Sequence, residues 1–121
     1  MTTLPQFELP VTATLIAAGA IATRDFQDVH HDRDKAVAAG SKDIFMNILT
    51  TTGLVQRYVT DNLGPAARIK ACRLRLGAPA YPGDTLVFEG TVSEDGDTKV
   101  VDVVGRVSLG DHVTAKVTVE L

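Results

Sequence analysis

The chain has a single cysteine, Cys72, and no surplus of positive charge. One cysteine cannot form an intrachain disulfide, and a protein without disulfides fits a reducing cytoplasm best. Twelve lysines and arginines against fifteen aspartates and glutamates leave a formal net charge of -3. Proteins that bind nucleic-acid phosphates carry a basic footprint. The composition therefore predicts a cytoplasmic protein without a nucleic-acid partner.

Hydrophobic runs long enough to cross a membrane are also missing. The apolar run Val11–Ile21 is shorter than the roughly 20 residues that span a bilayer. It lacks a preceding basic segment, although Ala20-Ile21-Ala22 resembles a signal-peptide cleavage site. Cleavage there would remove the segment that leads into the most polar part of the chain. We interpret the run as a short strand and helix of the mature fold, and we expect no membrane association.

Signatures of several enzyme classes are missing as well. The chain contains no Gly-rich phosphate loop, no Cys/His spacing typical of zinc sites, no Gly-x-Ser-x-Gly elbow and no internal repeat. A chain of 121 residues fits a single domain, 1–121, which buries roughly two-thirds of its unfolded surface.

Apolar spacing predicts helices in the first half of the chain. They are expected over Thr14–Ala22, Lys35–Ala39 and Ile44–Thr60. Gly40 ends the second helix, Asp43 is the predicted N-cap of the long one, and Gly64-Pro65 follows its end. Residues 1–10 are expected to form an arm or a short edge strand. The predicted buried stripe of the long helix consists of Phe45, Ile48, Leu49, Thr52, Val55 and Val59.

Alternating apolar residues predict strands in the second half. They begin at Arg68 and continue over Thr85–Val92, Lys99–Val107 and His112–Leu121. The alternation changes parity at Ala71 and Cys72, which indicates a bulge or sharp bend. Short, turn-rich connections favour antiparallel hairpins. One long helix lying on a curved antiparallel sheet of about five strands is an α+β fold.

The polar segment Asp25–Asp32 concentrates groups that can transfer protons. Asp25 and His30 are five residues apart, a spacing that suits a loop better than one helix face. A loop can direct both side chains at one reacting atom, as general acid–base catalysis requires. Taken without any resemblance, this pattern favours a turn or helix-capping role for Asp25 and a hydrogen-bonded loop role for His30.

The pattern around this pair resembles a known family signature. The string Asp25-x-Gln27-Asp28-x-His30-x-Asp32-x-x-x-Ala36 is similar to the Asp-x-Asn-Pro-x-His motif of the MaoC-like (R)-specific enoyl-CoA hydratases. The stretch Ala80–Leu86 likewise resembles the Pro-Gly-Asp-Thr-Leu turn of that family. The resemblance covers about residues 11–121 and implies the hot-dog fold, a long central helix wrapped by a curved sheet.

Longer runs resemble one group within this family, the small subunits of actinobacterial steroid side-chain hydratases. These runs are Ala22–Ala36, Gly40–Phe45 and Gly53–Asp61. Such subunits pair with a larger chain that carries a second MaoC-like domain and an OB-type (DUF35) domain. The resemblance implies an α2β2 heterotetramer that hydrates an unsaturated, cholesterol-type steroid side-chain CoA thioester. It also implies an indirect association with a thiolase-like aldolase, bound to the larger chain, that cleaves the product.

The resemblance implies that Asp25 and His30 are the catalytic residues. In the family, a backbone N–H of a His-Gly pair at the start of the central helix holds the thioester oxygen. This chain has Met46-Asn47 there, so Asn47 becomes the candidate for that N–H, aided by the helix dipole. Gln27, in place of the family's Asn, and His31 are further candidates for positioning the substrate. The adjoining His31 and Asp32 are also expected to orient the loop or cap the next helix.

The implied reaction is the addition of water across the α,β double bond of an enoyl-CoA. Asp25 and His30 hold one water; one group takes its proton, and the pair returns a proton to the α-carbon on the same face. The sequence leaves open which side chain does which, because coupled groups share their titration. The resemblance implies no metal or redox cofactor, since CoA arrives as part of the substrate. The basic residues Arg68, Lys70, Arg73 and Arg75 are candidates for its phosphates, although such a strand is more often a solvated sheet face.

Three other functions are compatible with the same residues. A hot-dog acyl-CoA thioesterase would act on the same class of substrate, with a carboxylate on or near the central helix. A non-catalytic MaoC-like subunit would only complete a partner's fold. A metal site at His30-His31-Asp32 would need further ligands, and His112 is the one remaining histidine. Because a single hot-dog unit exposes a sheet edge and cannot easily enclose a CoA thioester, we expect obligate pairing.

Overall fold

A five-stranded antiparallel sheet is the main element of the fold. The computed structural model describes residues 1–121. Its elements are β1 (Thr2–Pro10), α1 (Ala13–Ala22), a 3-10 turn (Asp28–His30), α2 (Arg33–Ala38), α3 (Ile48–Leu63), β2 (Arg68–Leu76), β3 (Thr85–Asp95), β4 (Thr98–Val107) and β5 (Gly110–Glu120). The strand order is β1-β3-β4-β5-β2, so β1 and β2 are the sheet edges. The predicted α+β class and the hairpins β3–β4 and β4–β5 are confirmed.

The two edge strands differ slightly from the prediction. Residues 1–10 form the edge strand that was one of the two predicted alternatives, but it is not short, since nine of them make up β1, which pairs with β3. In β2, the pairing with β5 shifts register between Ile69 and Ala71, close to the predicted bulge at Ala71 and Cys72. A bulge reverses which face successive side chains occupy, and this accounts for the change in apolar parity.

The long helix begins one turn later than predicted. Asp43 is not its N-cap: the Asp43 carboxylate accepts a hydrogen bond from the Ile44 N–H (2.7 Å), and Asn47 caps the helix by accepting from the Thr50 N–H (3.1 Å). The residues between them are not helical: Asn47 itself is extended, with φ of -81° and ψ of 163°, and the bond from the Thr51 N–H to the Asn47 carbonyl (3.2 Å) opens the helix. The Phe45 N–H donates to the Val29 carbonyl (3.2 Å) and the Met46 N–H to the Ala80 carbonyl (3.1 Å), which hold this segment against other parts of the fold. The helix also continues three residues past the predicted Thr60, to Leu63.

The later start changes which side chains of α3 are buried. The buried residues are Thr51, Val55, Tyr58 and Val59, and all but Thr51 belong to the apolar core formed with the sheet. Val55 and Val59 were predicted correctly. Ile48 and Leu49 are 49% and 52% exposed, so their assignment to the core was wrong. Both lie in the first turn of the helix, beside the polar loop. None of the helices combines the length and the apolar character needed to cross a bilayer.

The Pro82-Gly83-Asp84 turn fastens the sheet to the loop before α3. Asp84 accepts hydrogen bonds from the Ser108 hydroxyl (2.7 Å) and from the Thr85 N–H (2.8 Å). Desolvation opposes ionisation of Asp84, but these bonds outweigh it and lower the pKa of the carboxyl. Because the neighbouring Ala80 carbonyl receives the Met46 N–H, this turn helps to place the start of α3.

His112 joins three parts of the core. The ring is 3% exposed; Nδ1 lies 2.7 Å from the Ala78 carbonyl and Nε2 lies 2.8 Å from the Thr51 hydroxyl. A carbonyl can only accept, so Nδ1 carries the proton and Nε2 accepts from Thr51 in the neutral ring. Burial lowers the pKa of His112 from its ordinary value of 6.5, although the bond to Ala78 opposes this shift.

The lowered pKa of His112 predicts a loss of stability in mild acid. Because the unfolded chain binds this proton more readily, the contribution is complete above pH 6.5 and is lost as the pH falls through the folded-state pKa. His112→Gln should remove this dependence, which for one proton reaches at most about 1.4 kcal/mol per pH unit. Denaturant unfolding between pH 8 and pH 5 measures it. Equal pH slopes for the wild type and the variant would contradict the prediction.

Candidate active site

The loop after α1 is held in place by the end of that helix. The Thr23 hydroxyl lies within hydrogen-bond distance of the Gly19 (2.8 Å) and Ala20 (3.1 Å) carbonyls. The Asp25 N–H also donates to the Ala20 carbonyl (2.8 Å), and the intervening Arg24 adopts a left-handed conformation with φ of 59°. These contacts turn the chain sharply and fix the position of the Asp25 backbone.

The structure brings Asp25 and His30 together. Asp25 Oδ2 lies 3.4 Å from His30 Nε2; the Asp25 side chain is 23% exposed and the His30 side chain 7%. His30 Nδ1 lies 2.7 Å from the Phe45 carbonyl, and the ring packs edge-on against the Phe45 ring. Nδ1 must therefore donate to that carbonyl, which leaves Nε2 to exchange a proton next to Asp25.

Asn47 lies on the other side of the Asp25 carboxylate. Its amide nitrogen is 3.1 Å from Asp25 Oδ2 and 2.9 Å from the Thr23 hydroxyl oxygen. The backbone N–H of Asn47 has no acceptor within the protein, nor do those of Ile48 and Leu49. Three free donors at the start of a 16-residue helix, beside the acid–base pair, form a suitable site for a developing negative charge on oxygen.

The other two candidates occupy less central positions. The backbone N–H of Gln27 donates to Asp25 Oδ1 (3.3 Å), while its side chain is exposed and makes no hydrogen bond. His31 is exposed, with its ring 3.9 Å from Asp28 Oδ1. Asp32 caps α2 by accepting from the Lys35 N–H (3.1 Å), as expected. No cluster of three His, Cys, Asp or Glu side chains is arranged to hold a metal ion.

Sequence reasoning missed three parts of this site. These are the Phe45 carbonyl that orients His30, the Thr23 hydroxyl, and the side chain of Asn47. Backbone carbonyls carry no sequence signal. Thr23 and Asn47 are ordinary capping residues, and an Asn three residues before Thr50 was the one cue that the helix starts there.

Exposed apolar side chains flank the pair. Phe26, next to Asp25, is 65% exposed, and Ile21 at the end of α1 is 58% exposed. Ile48 and Leu49 follow Asn47 and are about half exposed. Two of the four basic candidates, Arg73 and Arg75, line a cavity of about 380 Å³ on the sheet together with Lys116, and no residue of the segment Asp25–Asp32 lines it.

Comparisons with known proteins identify the family of this chain. The chain matches the MaoC-like domain family over residues 2–117. It is 64% identical over 119 residues to the 3-oxo-4,17-pregnadiene-20-carboxyl-CoA hydratase beta subunit of Mycobacterium tuberculosis, covering 98% of this chain and 91% of that one.

Two solved structures show the same fold. A chain of the ChsH1-ChsH2 complex from Mycobacterium tuberculosis superposes with a TM-score of 0.97 at 60% identity, covering 99% of this chain and 95% of that chain. The (R)-hydratase from A. caviae involved in PHA biosynthesis superposes with a TM-score of 0.88 at 20% identity, covering 99% and 94%. The predicted hot-dog fold and hydratase class are confirmed, and the chain belongs to the MaoC-like domain family.

Proposed function

We propose that this chain is the small, catalytically active subunit of a hydratase that adds water to a steroid side-chain enoyl-CoA. The single observation that carries this proposal is the Asp25–His30 pair beside the free N–H groups of α3. The prediction of a small steroid-hydratase subunit agrees with the name of the 64% identical relative, a beta subunit of a pregnadiene carboxyl-CoA hydratase.

The pair is arranged to activate one water molecule. Asp25 Oδ2 and His30 Nε2 are 3.4 Å apart, so an oxygen bound between them can contact both. One group removes a proton from the water as its oxygen bonds to the β-carbon of the enoyl thioester. The electrons of the double bond then take a proton at the α-carbon, delivered by the other member of the pair on the same face.

The start of α3 is suited to hold the thioester oxygen. As water attacks the β-carbon, negative charge develops on the carbonyl oxygen in conjugation with it. The unpaired backbone N–H of Asn47 and the positive end of the helix dipole stabilise that charge. Such a donor contributes a factor of about 10²–10³ to kcat. This is the backbone role that the family resemblance implies for Asn47.

The flanking apolar side chains support a bulky acyl group. Phe26 adjoins Asp25 in the chain, Ile48 and Leu49 follow Asn47, and Ile21 lies at the end of α1, and all four expose hydrocarbon. Apolar side chains next to a few polar groups are the combination typical of a site for an apolar ligand with one reactive group. A fused steroid skeleton presents a large apolar surface of this kind, whereas a short acyl chain would leave most of these side chains in water.

A partner subunit completes the proposed enzyme. The free sheet edges, nine residues each in β1 and β2, are unprotected on one side. The high similarity to a chain of the ChsH1-ChsH2 complex supports a heteromer. Within the proposal, the partner is a larger MaoC/DUF35-type chain in an α2β2 heterotetramer, which itself binds a thiolase-like aldolase. The enzyme works in the cytoplasm, needs no cofactor and binds neither nucleic acid nor membrane.

The substrate class can be tested by comparing two thioesters on the assembled complex. The complex should hydrate a steroid side-chain enoyl-CoA with a much lower KM than crotonyl-CoA. Phe26→Ala should raise the KM for the steroid thioester about tenfold, as expected for losing part of a buried phenyl contact, with little effect on crotonyl-CoA. Leu109→Ala serves as the control, because Leu109 is similarly exposed at 61% but lies at the β4–β5 turn.

The same reactions separate the alternatives. A thiol reagent detects free CoA, which a thioesterase would release and a hydratase would not. Preference for crotonyl-CoA, or equal effects of Phe26→Ala on both substrates, would contradict the steroid assignment. If a complex that carries Asp25→Ala hydrates the substrate at the wild-type rate, this chain is the non-catalytic subunit that only completes a partner's fold.

A further inference from the structure

We infer that the side chain of Asn47 is a positioning residue that aligns the Asp25 carboxylate for proton transfer, in addition to the backbone role described above. The inference rests on the proposed function. It also explains why a buried amide occupies the position at which α3 meets the segment Asp25–Asp32.

Every polar atom of the Asn47 side chain has a partner. The residue is 2% exposed. Its Oδ1 accepts from the Thr50 N–H (3.1 Å), while its Nδ2 donates to Asp25 Oδ2 (3.1 Å) and to the Thr23 hydroxyl oxygen (2.9 Å). Leaving any of these groups unpaired at a buried site would be costly.

The network determines the orientation of the amide. An ionised carboxylate can only accept, and a backbone N–H can only donate. Rotating the amide by 180° would place Oδ1 against Asp25 Oδ2 and Nδ2 against the Thr50 N–H, giving two repulsive contacts. The amide nitrogen therefore faces Asp25.

This contact fixes the oxygen that faces His30. Asp25 Oδ2 is both the acceptor for Asn47 and the atom 3.4 Å from His30 Nε2, whereas Oδ1 accepts from the Gln27 N–H. With one donor on each oxygen, rotation of the carboxylate would break both bonds. Asn47 is itself fixed by α3 and by Thr23, so the orientation of Asp25 is tied to the helix that binds the thioester. Misplacement of a reacting group by about 1 Å can cost a factor of 10² in rate.

Two substitutions separate this role from helix capping. Asp and Ser are both good N-cap residues, so Asn47→Asp and Asn47→Ser keep an acceptor for the Thr50 N–H and leave the backbone N–H in place. Neither can donate to Asp25 as Asn does: the serine side chain is too short, and the aspartate adds a second negative charge beside the first. Thr12→Asp is the control for a new carboxylate at a helix N-terminus, because Thr12 caps α1.

The experiment measures kcat, KM and Tm for the assembled complex with a steroid side-chain enoyl-CoA. We expect kcat to fall about 10-fold in Asn47→Ser and about 100-fold in Asn47→Asp. KM should change less than about threefold. Tm should fall by about 3–10 °C, because the cap is kept but the buried bonds to Asp25 and Thr23 are lost, so kcat is measured well below the Tm of each variant. Thr12→Asp should match the wild type in kcat.

Wild-type kcat in either Asn47 variant, or a fall in kcat that only follows the loss of folded complex, would overturn the inference. Asp25→Asn, measured in the same series, keeps this result separate from the proposed function. If Asp25→Asn has wild-type activity, the proposed function fails. If it is inactive while both Asn47 variants keep full kcat, only the positioning role fails.

Discussion

Replacing Asp25 or His30 is expected to lower kcat of the assembled enzyme by a factor of about 10²–10⁴, the usual contribution of a general acid or base. Asp25→Asn keeps the size and the acceptor for the Gln27 N–H, but it removes the negative charge next to His30 Nε2. His30→Asn can still place an amide near the Phe45 carbonyl, because its nitrogen corresponds to Nδ1, but it has no counterpart of Nε2.

Combining the two substitutions should cost little more than either one. Groups that act on the same water behave as a unit, so the losses do not add. Asp34→Asn is the matched control for charge removal, since Asp34 is an exposed residue in the first turn of α2. Strictly additive losses would show that the two side chains act in separate steps, contrary to the shared-water mechanism.

A methyl group at Gly19 is expected to destabilise the protein by about 1–3 kcal/mol, the range for overpacking a tight contact. A Cβ at this position would lie 2.4 Å from Thr50 Oγ1 and 2.9 Å from Thr50 Cγ2, so α1 packs directly against the first turn of α3 here. Thr50 Oγ1 is itself buried without a hydrogen-bond partner, which indicates how little space the contact leaves.

Gly19→Ala is expected to lower the activity as well as the stability. The Gly19 and Ala20 carbonyls hold the Thr23 hydroxyl, and Thr50 donates its N–H to Asn47. Separating the two helices therefore disturbs both sides of the Asp25 carboxylate. We expect Gly19→Ala to lower kcat together with the free energy of unfolding.

Thr50→Ala should partly rescue Gly19→Ala, because it removes both of the closest atoms and leaves only Thr50 Cβ at 3.2 Å. Gly53→Ala is the control: Gly53 lies in α3, and no atom lies within 4 Å of the position that its added methyl group would occupy. Alanine there should be neutral or stabilising by up to about 1 kcal/mol. Denaturant unfolding and kcat are measured for all four variants. No rescue in the double variant would contradict direct contact as the cause.

Much of the fold could be predicted because the apolar residues of its strands and helices recur at regular spacing. The strands β3, β4 and β5 alternate buried and exposed residues along most of their length, and short turn-rich segments join them. The same reasoning failed at the start of α3. Phe45, Ile48 and Leu49 have helical spacing, but the backbone is extended at Asn47, and the N–H groups of Phe45 and Met46 tie the preceding segment to Val29 and Ala80, which lie far away in the chain. Such tertiary hydrogen bonds override a local pattern and leave no trace in it.

The candidate active site was likewise predicted only in part. Asp25 and His30 were identified through the resemblance of their loop, and the structure places them 3.4 Å apart. The parts that orient them were not predicted. Asn47 reaches Asp25 across 22 residues of sequence, and the Phe45 carbonyl reaches His30 across 15. Gly19 showed no sign of its contact with Thr50, because a close approach between helices depends on their final packing.

The most direct test of the account is to follow a steroid side-chain enoyl-CoA in ¹⁸O-labelled water with the assembled complex, using mass spectrometry. We predict that the intact thioester gains one labelled water and that fragmentation places the label at the β-carbon. Asp25→Asn and His30→Asn complexes of normal assembly should lose the reaction. Equal labelling by wild-type and variant complexes would place the chemistry on the partner chain and contradict the central claim.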